Sequence, residues 1–202
     1  GGSGRQLSTG LGRALPFWDR RIDLFVLTQP NPFQASALPA IGGRYRFDAV
    51  MVPGPPDDTE AMQPVWDAFR AQGTQIVVAS PGMRVEVGDG VTLTVLHGEP
   101  PPPGVEGEAG EPLVLMLAYE DFRALLAASL TPEAEAALLS QGGDLHAAVL
   151  HVPRSGHRGT TGEPFLLAFQ PQVAVISVGE GNRFGLPHAE TLDRLEASGA
   201  AL

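Results

Sequence analysis

Leu11-Gly-Arg-Ala-Leu-Pro-Phe-Trp-Asp-Arg-Arg-Ile-Asp-Leu-Phe-Val-Leu-Thr28 carries the end of a helical pattern, Gln6–Leu15, through a proline and into an apolar strand, Ile22–Thr28. Outward from this stretch the same alternation repeats along the chain. Asp48–Val52, Gln75–Ser80, Met83–Val87, Val91–Leu96, Leu113–Tyr119, Ala124–Ala127, Ala147–Val152 and Val173–Val178 are short apolar runs that read as strands. Ala35–Tyr45, Thr59–Gln72, Pro132–Leu139, Glu163–Phe169 and His188–Ser198 read as helices. Strands alternating with helices predict α/β layers. Gly88-Asp89-Gly90 between two alternating runs predicts a hairpin turn, Thr59 a helix cap, and Thr131-Pro132 a helix start with proline in the first turn. Glu99–Glu111, rich in Pro, Gly and Glu, reads as an exposed loop.

Composition narrows the function classes. The 202 residues suffice for one α/β domain with a substantial core, and 43% hydrophobic with 18% charged residues is too apolar for disorder. A net charge of −10 argues against tight nucleic-acid binding by the surface as a whole, while leaving room for a local basic patch. The absence of cysteine removes disulfides, thiolate zinc sites and cysteine nucleophiles. No apolar run approaches the roughly 18 to 20 residues of a membrane helix. Gly1–Gly12 is polar and glycine-rich, unlike a signal peptide. Both ends read as cut, since a βαβ arrangement wants a further strand on either side.

Four segments carry the functional reading. The first strand runs into Gln29-Pro-Asn31-Pro-Phe33-Gln34 and then Ser36-Ala-Leu-Pro39. The second segment is Leu125-Leu-Ala-Ala-Ser129, followed by the helix around Glu133–Leu139. The third is Val149-Leu-His-Val-Pro-Arg154-Ser155-Gly-His157. The fourth is Ala174-Val-Ile-Ser-Val-Gly-Glu-Gly-Asn182-Arg-Phe-Gly-Leu186-Pro-His188. Together they resemble the metallo-β-lactamase-like C-terminal domain of ComEC-type DNA internalisation (competence) proteins, over nearly the whole chain. In that family the first strand enters a His-x-His-x-Asp-His motif, the second ends Thr-Gly-Asp, the third carries His-His-Gly-Ser and the fourth Gly-His-Pro-His. Here the corresponding positions hold Gln29, Asn31, Phe33, Gln34, Ser129, Arg154, Ser155 and Leu186, and only His188 remains of the last motif. The framework matches and the ligands do not.

The resemblance implies one metallo-β-lactamase αββα four-layer sandwich over 1–202, with room for terminal edge strands to be missing. It also implies a parent: a polytopic membrane channel that passes single-stranded DNA into bacteria during transformation. The domain would lie on the extracytoplasmic face of the cytoplasmic membrane, with the transmembrane channel and the competence machinery as partners. Family members are proposed to degrade the non-transported strand. Zinc in hydrolases takes imidazole nitrogens and carboxylates and keeps one position open for the water it activates. Amides are poor zinc ligands, Ser129 cannot replace a bridging carboxylate, and Arg154 brings positive charge. The expectation is a chain with no cofactor and no catalytic residue, serving a structural or DNA-guiding role with at most weak, salt-sensitive DNA contact. A metal-dependent nuclease with displaced ligands is one alternative, and a stand-alone interaction module is another.

Other residues receive plainer readings. The five histidines, His97, His146, His151, His157 and His188, show no tight ligand spacing beyond His151 and His157 flanking the third segment. Asn182, Arg183 and His188 either line a vestigial pocket or form a strand-to-helix turn. Arg13, Arg20, Arg21, Arg44 and Arg46 form a basic face or a solvated surface, and Trp18 and Trp66 read as core or interface, with nothing in the sequence to suggest a stacking platform for bases. No serine or threonine has a recognisable oriented base, and no phosphate-loop motif is present. Gln29, Asn31, Gln34, Ser129, Arg154 and Ser155 are expected to converge. Phe33 is expected to fill the metal's volume or pack on Leu186, and Arg154 to point outward or meet a carboxylate.

Overall fold

All nine apolar runs become strands, because each is bounded by turn-forming residues that end it within a few positions. The computed structural model describes residues 4–56, 59–100, 110–179 and 181–202, and only the backbone of Phe33 and Gln34. Most of the Pro/Gly/Glu-rich stretch, 101–109, lies outside the described residues; its ends are joined by a hydrogen bond from Glu111 N–H to Glu99 C=O, 2.9 Å. The chain divides into two units, 1–79 with 99–111, and 80–98 with 112–202.

The first unit runs α1 (Gly4–Ala14), β1 (Arg21–Val26), α2 (Pro32–Ala35), α3 (Leu38–Gly42), β2 (Arg46–Val52), α4 (Gln63–Gln72) and β3 (Gln75–Val78). Its strands pair in parallel in the order β1-β2-β3. The sheet packs through Phe47, Val50 and Val52 onto Trp66 and Phe69 of α4, with Phe25, Phe47 and Phe69 meeting edge-on or tilted. Burying each such large side chain contributes about 1.5–3 kcal/mol. Gln72 fastens α4 to the turn before β2, donating to Gly42 C=O at 2.6 Å and accepting from Phe47 N–H at 3.0 Å.

Two helix starts differ from the sequence reading by three residues or more, and proline explains both; the other helix starts lie within two residues of it. The expected Ala35–Tyr45 helix is split into α2 and α3, because Pro39 has no N–H to return to the preceding turn and its ring crowds the carbonyl there. Likewise α4 begins at Gln63, not Thr59. Pro64 sits in its first turn, and Thr59 serves as a backbone acceptor from Met62 and Gln63 in a turn before the helix.

The second unit holds a six-stranded sheet, β4 (Arg84–Gly88), β5 (Val91–His97), β6 (Val114–Tyr119), β7 (Phe122–Leu126), β8 (Val149–His151) and β9 (Val173–Val175), paired in that order. Strands β4 to β7 form an antiparallel meander whose first turn, Gly88-Asp89-Gly90, takes positive φ at all three residues. From β7 onward the pairing is parallel, which requires crossover helices. These are α5 (Pro132–Gln141) and α6 (Glu163–Phe169), followed by α7 (Ala189–Ala197). Thr131 caps α5, accepting from Ala134 N–H at 3.2 Å. Leu125, Leu138, Leu150, Phe165, Phe169 and Leu195 centre the core. Beyond α7, Ala201 forms a parallel bridge with Val173 on β9.

Candidate functional site

Three parallel strands release their loops at one edge of the sheet, the position at which open α/β sheets place their sites. The loop after β7 carries Ser129, that after β8 carries Arg154, Ser155 and His157, and that after β9 carries Asn182, Leu186 and His188. Backbone hydrogen bonds join them. Arg154 N–H donates to Ala128 C=O at 2.8 Å, and His188 N–H donates to Gly156 C=O at 3.0 Å. The loops that carry these residues, expected to line a vestigial pocket, therefore adjoin one another through their backbones. Gln29, Asn31, Phe33 and Gln34 belong to the other unit, where Gln29 and Asn31 follow the end of β1 and Asn31 C=O accepts the N–H of Ala35 in α2. The side chains of Phe33 and Gln34 lie outside the described residues.

The loop after β8 has an unusual backbone. Pro153–Ser155 make a single 3-10 turn in which Arg154 and Ser155 take φ of 46° and 55°, followed by Gly156 at 80°. Left-handed non-glycine residues cost about 1–3 kcal/mol each and persist only where the surroundings enforce them. Gly156 is required on two counts, since a Cβ there would also meet Pro187 at 2.6 Å. Two charged side chains hold the stretch that follows, where Thr161 also takes a positive φ, 61°. The Glu135 carboxylate, 9% exposed, accepts Thr161 N–H at 2.7 Å and Gly162 N–H at 2.8 Å. Arg194 donates to the carbonyls of Thr161, Arg158 and Thr160 at 2.9–3.0 Å. Sequence reasoning named neither residue, and nothing local marks them: each lies within a helix and is defined by partners 26 to 36 positions away.

Asn182 spends its amide on its own turn. Its oxygen accepts Phe184 N–H and Leu186 N–H, and its nitrogen donates to Leu186 C=O and Gly179 C=O. Arg183 lies 5.3 Å from the Phe184 ring centre. Arg154 is exposed, and its charge helps hold the Glu133 carboxyl low, behind the backbone and Thr131 hydrogen bonds at the start of α5.

The histidines decide whether a metal fits. The rings of His157 and His188 stand edge to face at 5.1 Å. Nδ1 of His157 accepts Gly159 N–H at 3.1 Å, and Nδ1 of His188 accepts Arg158 N–H at 3.0 Å. A ring nitrogen that accepts from an amide uses its lone pair, so each neutral ring carries its proton on Nε2 and presents a donor there. A metal-bound histidine has the opposite polarity, with one nitrogen on the metal and the other donating to a carbonyl or carboxylate. The charges near the His157 ring are those of Arg154 and Arg158, both cationic, and among the described residues no carboxylate acts on it. The His157 pKa is lowered, first by burial and then by Arg154, His188 and Arg158. Among the described residues no group of three or more His, Asp or Glu comes together as a metal cage. The residues present in this unit do not fit the zinc centre that the fold's relatives imply. His151, instead, lies against Ser177 Oγ at 3.2 Å.

No protein-family model matches the chain. Among solved structures it is similar to the Zn-bound PqqB of Methylobacterium extorquens, at 13% identity and a TM-score of 0.58, over 98% of this chain and 77% of that one. It is also similar to CmlA, a diiron β-hydroxylase from Streptomyces venezuelae, at 12% identity and a TM-score of 0.51, over 81% of this chain and 36% of that one. These likenesses concern the fold alone: the chain is an α/β protein that shares its architecture with these two structures. It is, further, a distant homologue of ComE operon protein 3 of Bacillus subtilis (strain 168), 26% identical over 181 residues. The match takes in 88% of this chain and 22% of that protein, so the chain spans about a fifth of the relative's length. No described helix is long and apolar enough to cross a membrane.

Proposed function

We propose that this chain is a metal-free, catalytically silent metallo-β-lactamase-like domain of a ComEC-type DNA-uptake protein, with a structural or DNA-guiding role in natural transformation. In that setting its partners are the membrane channel of the same parent and the competence machinery, and it lies on the extracytoplasmic face of the cytoplasmic membrane. The observation that carries the silent part is the polarity of His157 and His188, whose Nδ1 atoms are engaged by backbone N–H groups. A hydrolase of this fold needs a metal to lower the pKa of its attacking water, and donors in place of lone pairs cannot hold one.

The test is elemental analysis after purification without chelator, paired with a nuclease assay on single- and double-stranded DNA in zinc, manganese or magnesium. The expected result is less than about a tenth of an equivalent of any transition metal and no turnover above buffer. One equivalent held by protein side chains, or cleavage that disappears in His157→Ala or His188→Ala, overturns the reading in favour of a metal-dependent nuclease with displaced ligands.

A further inference from the structure

The arginines left open by the sequence converge, in part, on one concavity of the first unit. A cavity of about 340 Å³ is lined by Arg20, Arg44, Arg46 and Tyr45 beside Gly42 and Gly43. Tyr45 is 2% exposed, and the guanidiniums of Arg20 and Arg44 lie 5.5 and 5.9 Å from its ring centre. Stacking on a fixed ring holds each guanidinium in place with its N–H groups free to turn towards a ligand. The charges nearby are unevenly spent. Arg46 pairs with Asp48 at 3.4 Å, and Arg21 with Asp23 and Asp48. Among the described residues Arg20 and Arg44 have no carboxylate at ion-pair distance, and Arg44 donates only to the neutral Ser8 hydroxyl, 3.1 Å. Neither guanidinium is ion-paired, in a protein of net charge −10, and the carboxylate between Trp18 and Arg20, that of Asp19, is turned onto Arg21 N–H at 3.0 Å.

Immediately before Arg20 stands a pair of exposed aromatic rings. Phe17 and Trp18 are 80% and 72% exposed and meet edge to face at 4.7 Å. The expectation that Trp18 is a core or interface residue is thus met on the core side by Trp66 alone, which is fully buried. Trp18 and Arg20 are two residues apart, at most about 7 Å along the backbone. A stackable ring beside a guanidinium-lined concavity is the pair of features by which proteins hold single-stranded nucleic acid without reading its sequence. A duplex hides its base faces, and an acidic peptide lacks the regular alternation of flat rings and anionic groups that a single strand offers. A bilayer surface is met by several cations standing level with the aromatic ring, not by two laid over a tyrosine within a cavity.

We propose that Phe17, Trp18, Arg20 and Arg44 form a foothold for single-stranded DNA, a base stacking on Trp18 while a phosphodiester sits between Arg20 and Arg44. The proposal deepens the DNA-guiding part of the reading above and rests on it. It does not involve the loops that carry His157 and His188.

The test uses the 202-residue chain and a labelled oligothymidylate of about a dozen nucleotides, a length suited to a short backbone groove. Fluorescence anisotropy reads the affinity across a salt series, and Trp18 emission reads stacking. Trp66, being buried, reports the fold in every Trp18 variant. Binding is expected to be weak and salt-steep, to quench Trp18, and to fall about tenfold in Trp18→Ala. Arg20→Ala and Arg44→Ala are each expected to flatten the plot of log affinity against log salt by about 0.7. Equal affinity for a duplex of the same length overturns the proposal. So does binding to phosphatidylglycerol vesicles, but not to the oligonucleotide, that depends on Trp18. If the oligonucleotide binds and only Arg154→Ala or Arg158→Ala weakens it, the foothold is wrong while the DNA-guiding reading stands. If no single strand binds at all, both fall, and the structural role remains.

Discussion

The loop after β8 and the turn before β1 are both rich in ionisable and aromatic groups, and they spend them in opposite ways. Around the loop, Glu135 of α5 accepts two of its backbone N–H groups, Arg194 of α7 donates to three of its carbonyls, and His157 and His188 accept one amide each. Every one of these groups is turned on the protein's own backbone. At the turn, Phe17 and Trp18 are bare, and Arg20 and Arg44 rest on Tyr45 without a carboxylate among the described residues. The first arrangement maintains a strained shape, and the second leaves its chemistry facing outward. Charge alone does not distinguish a site from a brace; the partners do. The resemblance to a metal-binding family pointed at the loop, yet the groups left available to a ligand are at the turn.

Replacing the largest brace gives the sharpest contrast. Glu135→Ala removes the acceptor from Thr161 and Gly162 N–H and leaves a buried amide without a partner. Hydrogen bonds to a charged group are worth about 1.5–3 kcal/mol, and an orphaned buried donor costs about 1–3 more, so a loss of roughly 3 kcal/mol is expected in urea denaturation. Arg20→Ala, measured in the same way, stays within about 0.5 kcal/mol, as surface substitutions do. Equal losses at the two positions would break the distinction between brace and outward group.

Next in size is Gly156→Ala. The methyl group would lie against Pro187, and φ of 80° is unfavourable for any residue with a Cβ. An expected loss of about 1–3 kcal/mol of unfolding free energy, read by urea denaturation, checks it. This position also shows why the framework was legible when its chemistry was not. Gly156 and Pro187 match the family motifs at the level of letters, and their packing explains why those letters matter. Arg154, Ser129 and Leu186 were legible only as losses, because a missing ligand is visible in the sequence while whatever replaces it is not.

The strands could be read because each is a local apolar run with a turn at either end. The two helix starts misread, at Pro39 and Pro64, were local too, and weighing proline's missing N–H more heavily would have placed them. What could not be read depended on long-range partners. Whether His157 is a lone-pair donor to a metal or an N–H donor is set by where Gly159 N–H points, and that follows from a backbone held by Glu135 and Arg194. The division of labour among the arginines was equally hidden: Arg21 and Arg46 are absorbed by Asp48, while Arg20 and Arg44 are not.

The smallest expected effect concerns pH, and it probes the ring polarity on which the silent reading depends. The His157 pKa lies below its ordinary 6.5, through burial first and then the charges of Arg154, His188 and Arg158; Arg158 is itself 3.9 Å from Glu190. Because the folded pKa is depressed, the unfolded chain binds more protons between that value and 6.5. Stability should therefore be level above that window, fall as the pH drops through it, and level off once both states are protonated. Protonation places a hydrogen on Nδ1 and removes the acceptor for Gly159 N–H, so the loss should be local. The protection factor of the Gly159 amide, its exchange rate measured against the intrinsic rate at each pH, is expected to fall as the pH drops from about 8 to about 5, while the protection factors of core amides of β8 do not change. His157→Gln keeps an acceptor near the amide without a titrating group and should flatten the profile. If Gly159 is equally protected across that range in the wild type, its amide is not held by the imidazole. Nδ1 would then be free to carry the proton with Nε2 turned towards a metal, and the contrast between loop and turn would have to be redrawn.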